Sequence, residues 1–217
     1  MMHETGHGAL LVNEIFDSIE GEGKRAGELA TFIRLTGCNL RCSYCDTAYS
    51  FSGGEPKSVE DILRTIHYRN VTVTGGEPLL QNIHPLLQKA RHCWVNIETN
   101  GSIDIRPYLI YSNVFFTMDF KCISSAMTSR MHSENFQNLR KRDVLKFVVG
   151  SQDDMSQALD FYEKRKRGLK AQVYVSPVFG EIEPEEIVDF MKTHGLRSWK
   201  IQLQLHKFIW DPMERGV

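Results

Sequence analysis

The feature that most narrows the fold is an alternation. Short β-branched and apolar runs recur along the chain, separated by segments with helical spacing. The runs cover residues 30–36, 71–74, 94–99, 114–119, 144–149, 171–175 and 199–203. Between them, apolar side chains share one helical face at Val59, Ile62, Leu63 and Ile66, behind Ser58 as N-cap, and at Ile83, Leu86, Leu87 and Ala90, with Pro85 in the first turn. The same spacing recurs at Met155, Ala158, Leu159 and Tyr162, and at Ile187, Val188 and Met191 after Pro184. Strands that alternate with helices predict an α/β fold of parallel βαβ units. These runs are too few for a closed eight-stranded barrel and enough for a partial (β/α)6-type one. The stretch 121–143 has poor periodicity and reads as a loop or irregular chain. A chain of 217 residues suits one domain, 1–217.

In parallel α/β sheets, chemistry gathers at the carboxyl ends of the strands. Cys38 follows the first run, Gly75-Gly76 the second, and Thr99, Asn100 and Gly101 the third. Asp119 to Lys121 follow the fourth, Ser176 and Pro177 the sixth, and His206 the last. The formal net charge of -1 supplies no overall basic field for nucleic acid. No apolar run is long enough to span a membrane, and the amino-terminal MMHETGHGALLVNEIF lacks the pattern of a signal peptide. The five cysteines then read as belonging to a reducing, cytoplasmic compartment rather than to a disulfide framework.

Three of those cysteines, Cys38, Cys42 and Cys45, lie in GCNLRCSYCDT with the spacing C-x3-C-x2-C. Thiolates this close can converge on one metal centre. Tetrahedral zinc and a fully ligated cubane each need four protein ligands, and this run supplies three. Spacing alone leaves three readings open: a cluster with one iron free, a zinc site completed by Cys93, Cys122 or a distant His, and buried thiols unrelated to any metal.

The second run ends in Thr74-Gly-Gly-Glu-Pro78. Taken alone, a double glycine is an ordinary strand-to-helix turn. One βα unit after the cysteine loop, it resembles the GGEP motif of radical S-adenosylmethionine (SAM) enzymes, whose three-cysteine loop carries an aromatic residue where Tyr44 stands. That resemblance implies a 4Fe–4S cluster on Cys38, Cys42 and Cys45, with SAM on the open iron and a 5′-deoxyadenosyl radical as its product. It places Tyr44, Gly75, Gly76 and Glu77 around SAM.

Further stretches narrow the likeness. They are Asn13-Glu-Ile-Phe-Asp-Ser-Ile-Glu-Gly-Glu-Gly23, Phe32-Ile-Arg-Leu35, Cys45-Asp-Thr47, Glu98-Thr-Asn-Gly101 and Gln204-Leu-His-Lys207. In order and nearly end to end, they resemble the 7-carboxy-7-deazaguanine synthase family of the queuosine and 7-deazapurine pathways. The resemblance implies ring contraction of 6-carboxy-5,6,7,8-tetrahydropterin to 7-carboxy-7-deazaguanine with loss of ammonia, using SAM catalytically and promoted by Mg2+. It implies that Ile19, Glu20 and Gly21 line the pterin, with Glu20 where the family usually has Gln. Arg34 matches a residue that binds the substrate carboxylate, a task suited to a guanidinium fork. Thr47 matches an Mg2+ ligand, Thr99 and His206 match substrate contacts, and Gly101 a SAM contact. Asp119, Phe120 and Lys121 align with a SAM stretch that often reads Ser-Pro-Lys. Ser176, Pro177, Val178 and Phe179 align with another that often begins Gln-Pro. A reducing partner such as flavodoxin or ferredoxin, and a homodimer, follow from the family. Cys93 and Cys122 match no ligand. The tail 210–217 extends past the point where some relatives end, so its place is open.

Two other functions compete. A glycyl-radical activase is similarly short and shares C-x3-C-x2-C, but would not need Arg34, Thr47 and a pterin-lining amino-terminal segment. A zinc-stabilised binding module would need a fourth ligand and would be colourless.

Overall fold

The structure, a computed structural model, describes residues 8–217. Residues 1–7, part of the amino-terminal run read above for a signal peptide, lie outside them. The first described strand is one that the alternation did not predict. β1 (Ala9–Ile19) runs antiparallel to β2 (Leu29–Leu35) and to β3 (Glu55–Ser58). Its period-2 pattern is broken by a register shift between Val12 and Glu14, so alternation along the sequence fails at that point. The shift places Glu14 opposite Arg34 and Phe16 opposite Phe32.

From β2 onward every pairing is parallel, through β4 (Asn70–Gly75), β5 (Trp94–Thr99), β6 (Val114–Lys121), β7 (Val144–Val149), β8 (Gln172–Pro177) and β9 (Trp199–Ile201). Among the described residues, the order is β3-β1-β2-β4-β5-β6-β7-β8-β9. The two ends of the sheet do not meet, so the fold is the open, partial barrel expected, with two antiparallel strands, β1 and β3, added at one edge. The last strand stops at Ile201, two residues short of the run in the sequence.

The helices form where their apolar spacing and caps place them. α1 (Val59–Arg64) starts on Ser58, whose side chain accepts from the Asp61 N–H. α2 (His84–Lys89) tolerates Pro85 because an N–H there has no intrahelical partner. The segment 121–143 is irregular, as predicted, holding two 3-10 turns and the single turn α3 (Asn135–Asn138). α4 (Gln152–Arg165) is capped by Ser151, and α5 (Pro184–Thr193) by a Glu183–Glu186 capping box. α6 (His206–Ile209) closes the chain beyond β9.

The sheet divides its residues by face. Ile33, Leu35, Val71, Val73, Val95, Ile97, Phe116, Met118, Leu145 and Phe147 pack outward against the helices and are fully or nearly fully buried. The alternate positions point inward and are mostly polar: Arg34, Thr72, Thr74, Asn96, Glu98, Thr117, Asp119, Lys121, Lys146 and Ser176. A parallel sheet covered on both faces normally reads as continuous apolar runs. A polar inner row therefore marks a cavity wall.

Asp143 anchors the irregular segment to this frame. It is fully buried, accepts from the Phe116 N–H at 3.0 Å, and pairs with Arg140 at 2.9 Å. Asp143→Ala leaves the Arg140 guanidinium and the Phe116 N–H without that partner. It should cost about 3–5 kcal/mol, read by denaturant unfolding.

Candidate active site

At the carboxyl ends of the strands lies a cavity of about 720 Å³. Its wall contains most residues marked in the sequence: Cys38, Cys42, Tyr44, Cys45 and Thr47 from the loop after β2, and Gly75 and Gly76 after β4. Asp119 and Lys121 line it from β6, and Ser176, Pro177, Val178 and Phe179 from β8 and its loop. Ile19 and Gly21, Arg34, Thr99 and His206 complete the set on the wall. Four residues stand elsewhere: Glu20, Glu77, Gly101 and Phe120 do not reach the cavity, for reasons that are local.

Glu77 is fully buried and turned the other way. Its carboxylate accepts from the Thr99 hydroxyl at 2.9 Å, the Asn100 N–H at 2.7 Å and the Leu79 N–H at 3.0 Å. It fastens the loop after β4 to the end of β5, and it occupies the hydroxyl of Thr99. Backbone at Gly75 and Gly76 is what faces the cysteine loop. A Cβ on Gly76 would stand 2.3 Å from the Gly37 carbonyl oxygen and 2.7 Å from Cys38 Cβ, so only glycine permits this approach. Gly101 takes φ +72° and packs towards Met118 and Met131. Phe120 points outward into a cluster with Phe136, Phe147 and Phe161.

Glu20 sits one layer below the cavity, where its carboxylate pairs with Arg25 at 2.8 Å and accepts from the Thr72 hydroxyl. Burial pushes its carboxyl up, against those two partners. Gln could not pair ionically with Arg25, so Glu suits this position. Gly21 has a different task. A Cβ there would come within 2.1 Å of His206 Nδ1, so the glycine lets α6 close against the loop after β1. The Leu205 N–H donates to the Gly21 carbonyl at 3.0 Å. Burial holds the His206 pKa below its ordinary value, with Glu22 opposing.

The three thiols face one cavity, and Asn100 reaches Cys38 Sγ with its amide at 3.7 Å. Burial raises the pKa of both Cys38 and Cys42. Thiolates here need a cationic partner, which an iron centre provides. Among the described residues, no group of three or more His, Cys, Asp or Glu side chains stands at the spacing of a single metal ion. A cubane asks for a different triangle, because each thiolate binds a separate iron. The buried Tyr44 hydroxyl on the same wall has no hydrogen-bond partner among the described residues. A three-thiol donor set, a glycine approach and an open polar wall fit a cluster with a bound cofactor.

Arg34 is held rather than loose. Its Nε donates to Glu14 at 2.6 Å, and Glu14 also accepts from the Tyr49 hydroxyl at 2.8 Å. The terminal nitrogens of the guanidinium remain to meet an anion. Further residues stand on the wall to which the sequence motifs assigned no role: Glu22, Thr74, Glu98, Lys146, Lys207 and the tail 212–217. The signal for three of them was present, as Thr74, Glu98 and Lys146 interrupt otherwise apolar strands with period 2. The tail folds back onto the cavity wall, with the Arg215 guanidinium 4.0 Å from the centre of the Tyr49 ring.

Comparisons with known proteins identify the family. The Radical SAM superfamily model matches residues 32–121. A Clostridium acetobutylicum protein named 7-carboxy-7-deazaguanine synthase is 43% identical over 217 residues, covering 95% of this chain and 98% of that protein. The chain belongs to the 7-carboxy-7-deazaguanine synthase family. A relative of the same name from Methanospirillum hungatei is 38% identical, over 93% of this chain and 86% of its own. The fold matches that of a solved structure, QueE from Escherichia coli, with a TM-score of 0.74 at 22% identity over 90% of this chain and 94% of that one. Membership of the radical SAM superfamily implies a 4Fe–4S cluster and SAM. No helix among the described residues is long and apolar enough to cross a membrane.

Glu98 and Glu77 give the fold a pH signature. Burial pushes each carboxyl up to about 7, Glu98 against Lys146 and Glu77 against the Asn100 and Leu79 N–H groups. Between the ordinary carboxyl value of about 4.5 and about 7 the folded state keeps protons that the unfolded state has lost. These two groups therefore make stability fall as pH rises through that window. Glu98→Gln should make the decline shallower than in the wild type, measured as denaturant midpoints between pH 5 and 8 on cluster-free protein (a window of about three units around the shift).

Proposed function

We infer that this protein is a radical SAM lyase that contracts the ring of 6-carboxy-5,6,7,8-tetrahydropterin to 7-carboxy-7-deazaguanine, with release of ammonia, on the route to queuosine and other 7-deazapurines. The observation that carries the reading is one cavity shared by three cysteine thiols and a preset arginine, in a chain 43% identical to a synthase of that name. Cys38, Cys42 and Cys45 hold the cluster, and Gly75, Gly76, Tyr44, Lys121 and residues 176–179 hold SAM. When bound, the pair supplies the single-electron chemistry that starts the rearrangement.

The chain's own residues bind and orient. Arg34, fixed by Glu14, receives the substrate carboxylate. Ile19, Gly21, Glu22 and His206 form the wall along the pterin ring, and the tail 212–217 limits water access from above. Glu20 supports that wall from beneath through Arg25. Thr47 supplies a hydroxyl oxygen to Mg2+, whose remaining sites fall to substrate oxygens and water. A flavodoxin or ferredoxin reduces the cluster, and the enzyme works as a cytoplasmic homodimer of single-domain chains. A glycyl-radical activase would have no use for Arg34 held in this way.

Anaerobic reconstitution followed by reductant, SAM and the carboxy-tetrahydropterin should yield the deazaguanine acid without net SAM consumption. Cys38→Ala should lose the brown chromophore and all turnover. Arg34→Ala should keep the chromophore and raise KM by about tenfold or more, since a charge-assisted carboxylate contact contributes about 1.5–3 kcal/mol. Stoichiometric SAM cleavage with no pterin product would overturn the reading.

Thr47→Val keeps the side-chain shape and removes the oxygen. The variant should assemble the cluster but lose most of the rate gain that Mg2+ gives the wild type, and Thr47→Ser should keep it. An unchanged Mg2+ response in the Val variant would leave Thr47 as a turn residue.

A further inference from the structure

One lysine on the cavity wall has no part in the steps above. Lys146, at the centre of β7, is only 6% exposed. Its ammonium stands 2.8 Å from Glu22 Oε2 and 3.0 Å from Asp119 Oδ1. The other oxygen of Glu22 accepts from the Ser176 hydroxyl at 3.0 Å. The other oxygen of Asp119 lies 2.9 Å from Lys121. One buried cation thus joins the loop after β1, the end of β6 and, through Glu22, the end of β8.

A lysine in this position is costly without partners. Burial disfavours its charge, but Asp119, Glu22 and Glu98 outweigh burial and hold the ammonium on. Burial would likewise raise Asp119, and Lys121 and Lys146 instead bring its carboxyl below the ordinary range. Remove the ammonium, and Glu22 and Asp119 are left as two carboxylates on one wall with no cation between them. Glu22 has no regular structure to hold it, since it lies between β1 and a short 3-10 turn. Its direction depends on Lys146 and Ser176.

We propose that Lys146 is a positioning residue for substrate binding: it aims the Glu22 carboxylate into the cavity as acceptor for the paired N–H donors of the 2-amino-pyrimidinone edge, and it locks that placement to Asp119 across the wall. The inference rests on the pterin reading. A carboxylate with one oxygen on an ammonium and one on a hydroxyl keeps further lone pairs for such an edge. The cation sets where they point.

The test compares wild type, Lys146→Met and Lys146→Met/Asp119→Asn at saturating SAM. Calorimetric binding of the carboxy-tetrahydropterin to reconstituted protein is measured beside kcat, KM and the melting temperature. Lys146→Met should weaken pterin binding and raise KM by about tenfold or more, the size of a lost charge-assisted contact, with smaller change in kcat. The double variant should bind the pterin better than Lys146→Met, because neutralising Asp119 removes the repulsion that displaces Glu22. A purely structural lysine predicts instead a lowered melting temperature with unchanged pterin affinity in Lys146→Met. Unchanged pterin affinity in Lys146→Met, or no recovery, overturns the proposal. Should Lys146→Met fail to fold, Glu22→Gln removes the charge of the aimed carboxylate itself and should weaken pterin binding by about threefold or more. Unchanged affinity in that variant then overturns the proposal. A wild type that neither binds nor converts the pterin refutes the functional reading instead, since that failure appears before any substitution is made.

Discussion

The structure depends on the two-sidedness of a parallel strand. Successive residues on β4 to β8 point to opposite faces, so each strand serves an apolar core outside and a polar wall inside. Neither face could be exchanged for the other by sliding a strand one residue, because that would bury Glu98, Asp119 and Lys146 among helices and turn Ile97, Met118 and Phe147 into the cavity. The charges on the inner face are tolerated because they neutralise each other locally. Lys146 lies between Glu22 and Asp119, and Lys121 beside Asp119. The same wall that satisfies buried charge therefore also specifies where a polar ligand can sit.

Around that wall, small residues control how closely loops approach. Gly76 lets the loop after β4 touch the cysteine loop, and Gly21 lets His206 close the opposite side. Glu77 works from behind, accepting from Leu79 within its own loop and from Thr99 and Asn100 at the end of β5. Its place in the motif next to the glycines reads as ligand contact, yet its geometry is that of a brace. The distinction is functional. A brace sets the position of the backbone that faces the cysteine loop, without itself entering the cavity.

How much of this was legible from residues alone varied with the range of the interaction. The βαβ alternation, Ser58 as a cap, Pro85 in a first turn and the irregular 121–143 stretch are all local, and they appear where the pattern placed them. The strand β1 was hidden because a register shift breaks its alternation. The wall residues Glu98 and Lys146 were visible as polar interruptions in apolar strands, but interruptions do not announce which face is a cavity. Glu20 and Thr99 followed family position in the sequence, while their side chains answer to Arg25 and Glu77.

The sequence by itself determined the chemistry that this chain can support: three thiols at C-x3-C-x2-C, a double glycine one βα unit later, and an arginine in an apolar strand. Those are facts of spacing, and short loops convert spacing into proximity. Only the tertiary structure decided which side chains enter the cavity, that Glu22, Asp119 and Lys146 meet, and that the tail 212–217 joins the cavity wall. Glu22 and Lys146 stand 124 positions apart. No local pattern encodes such a pairing, because it exists only when the sheet brings the loop after β1 alongside β7.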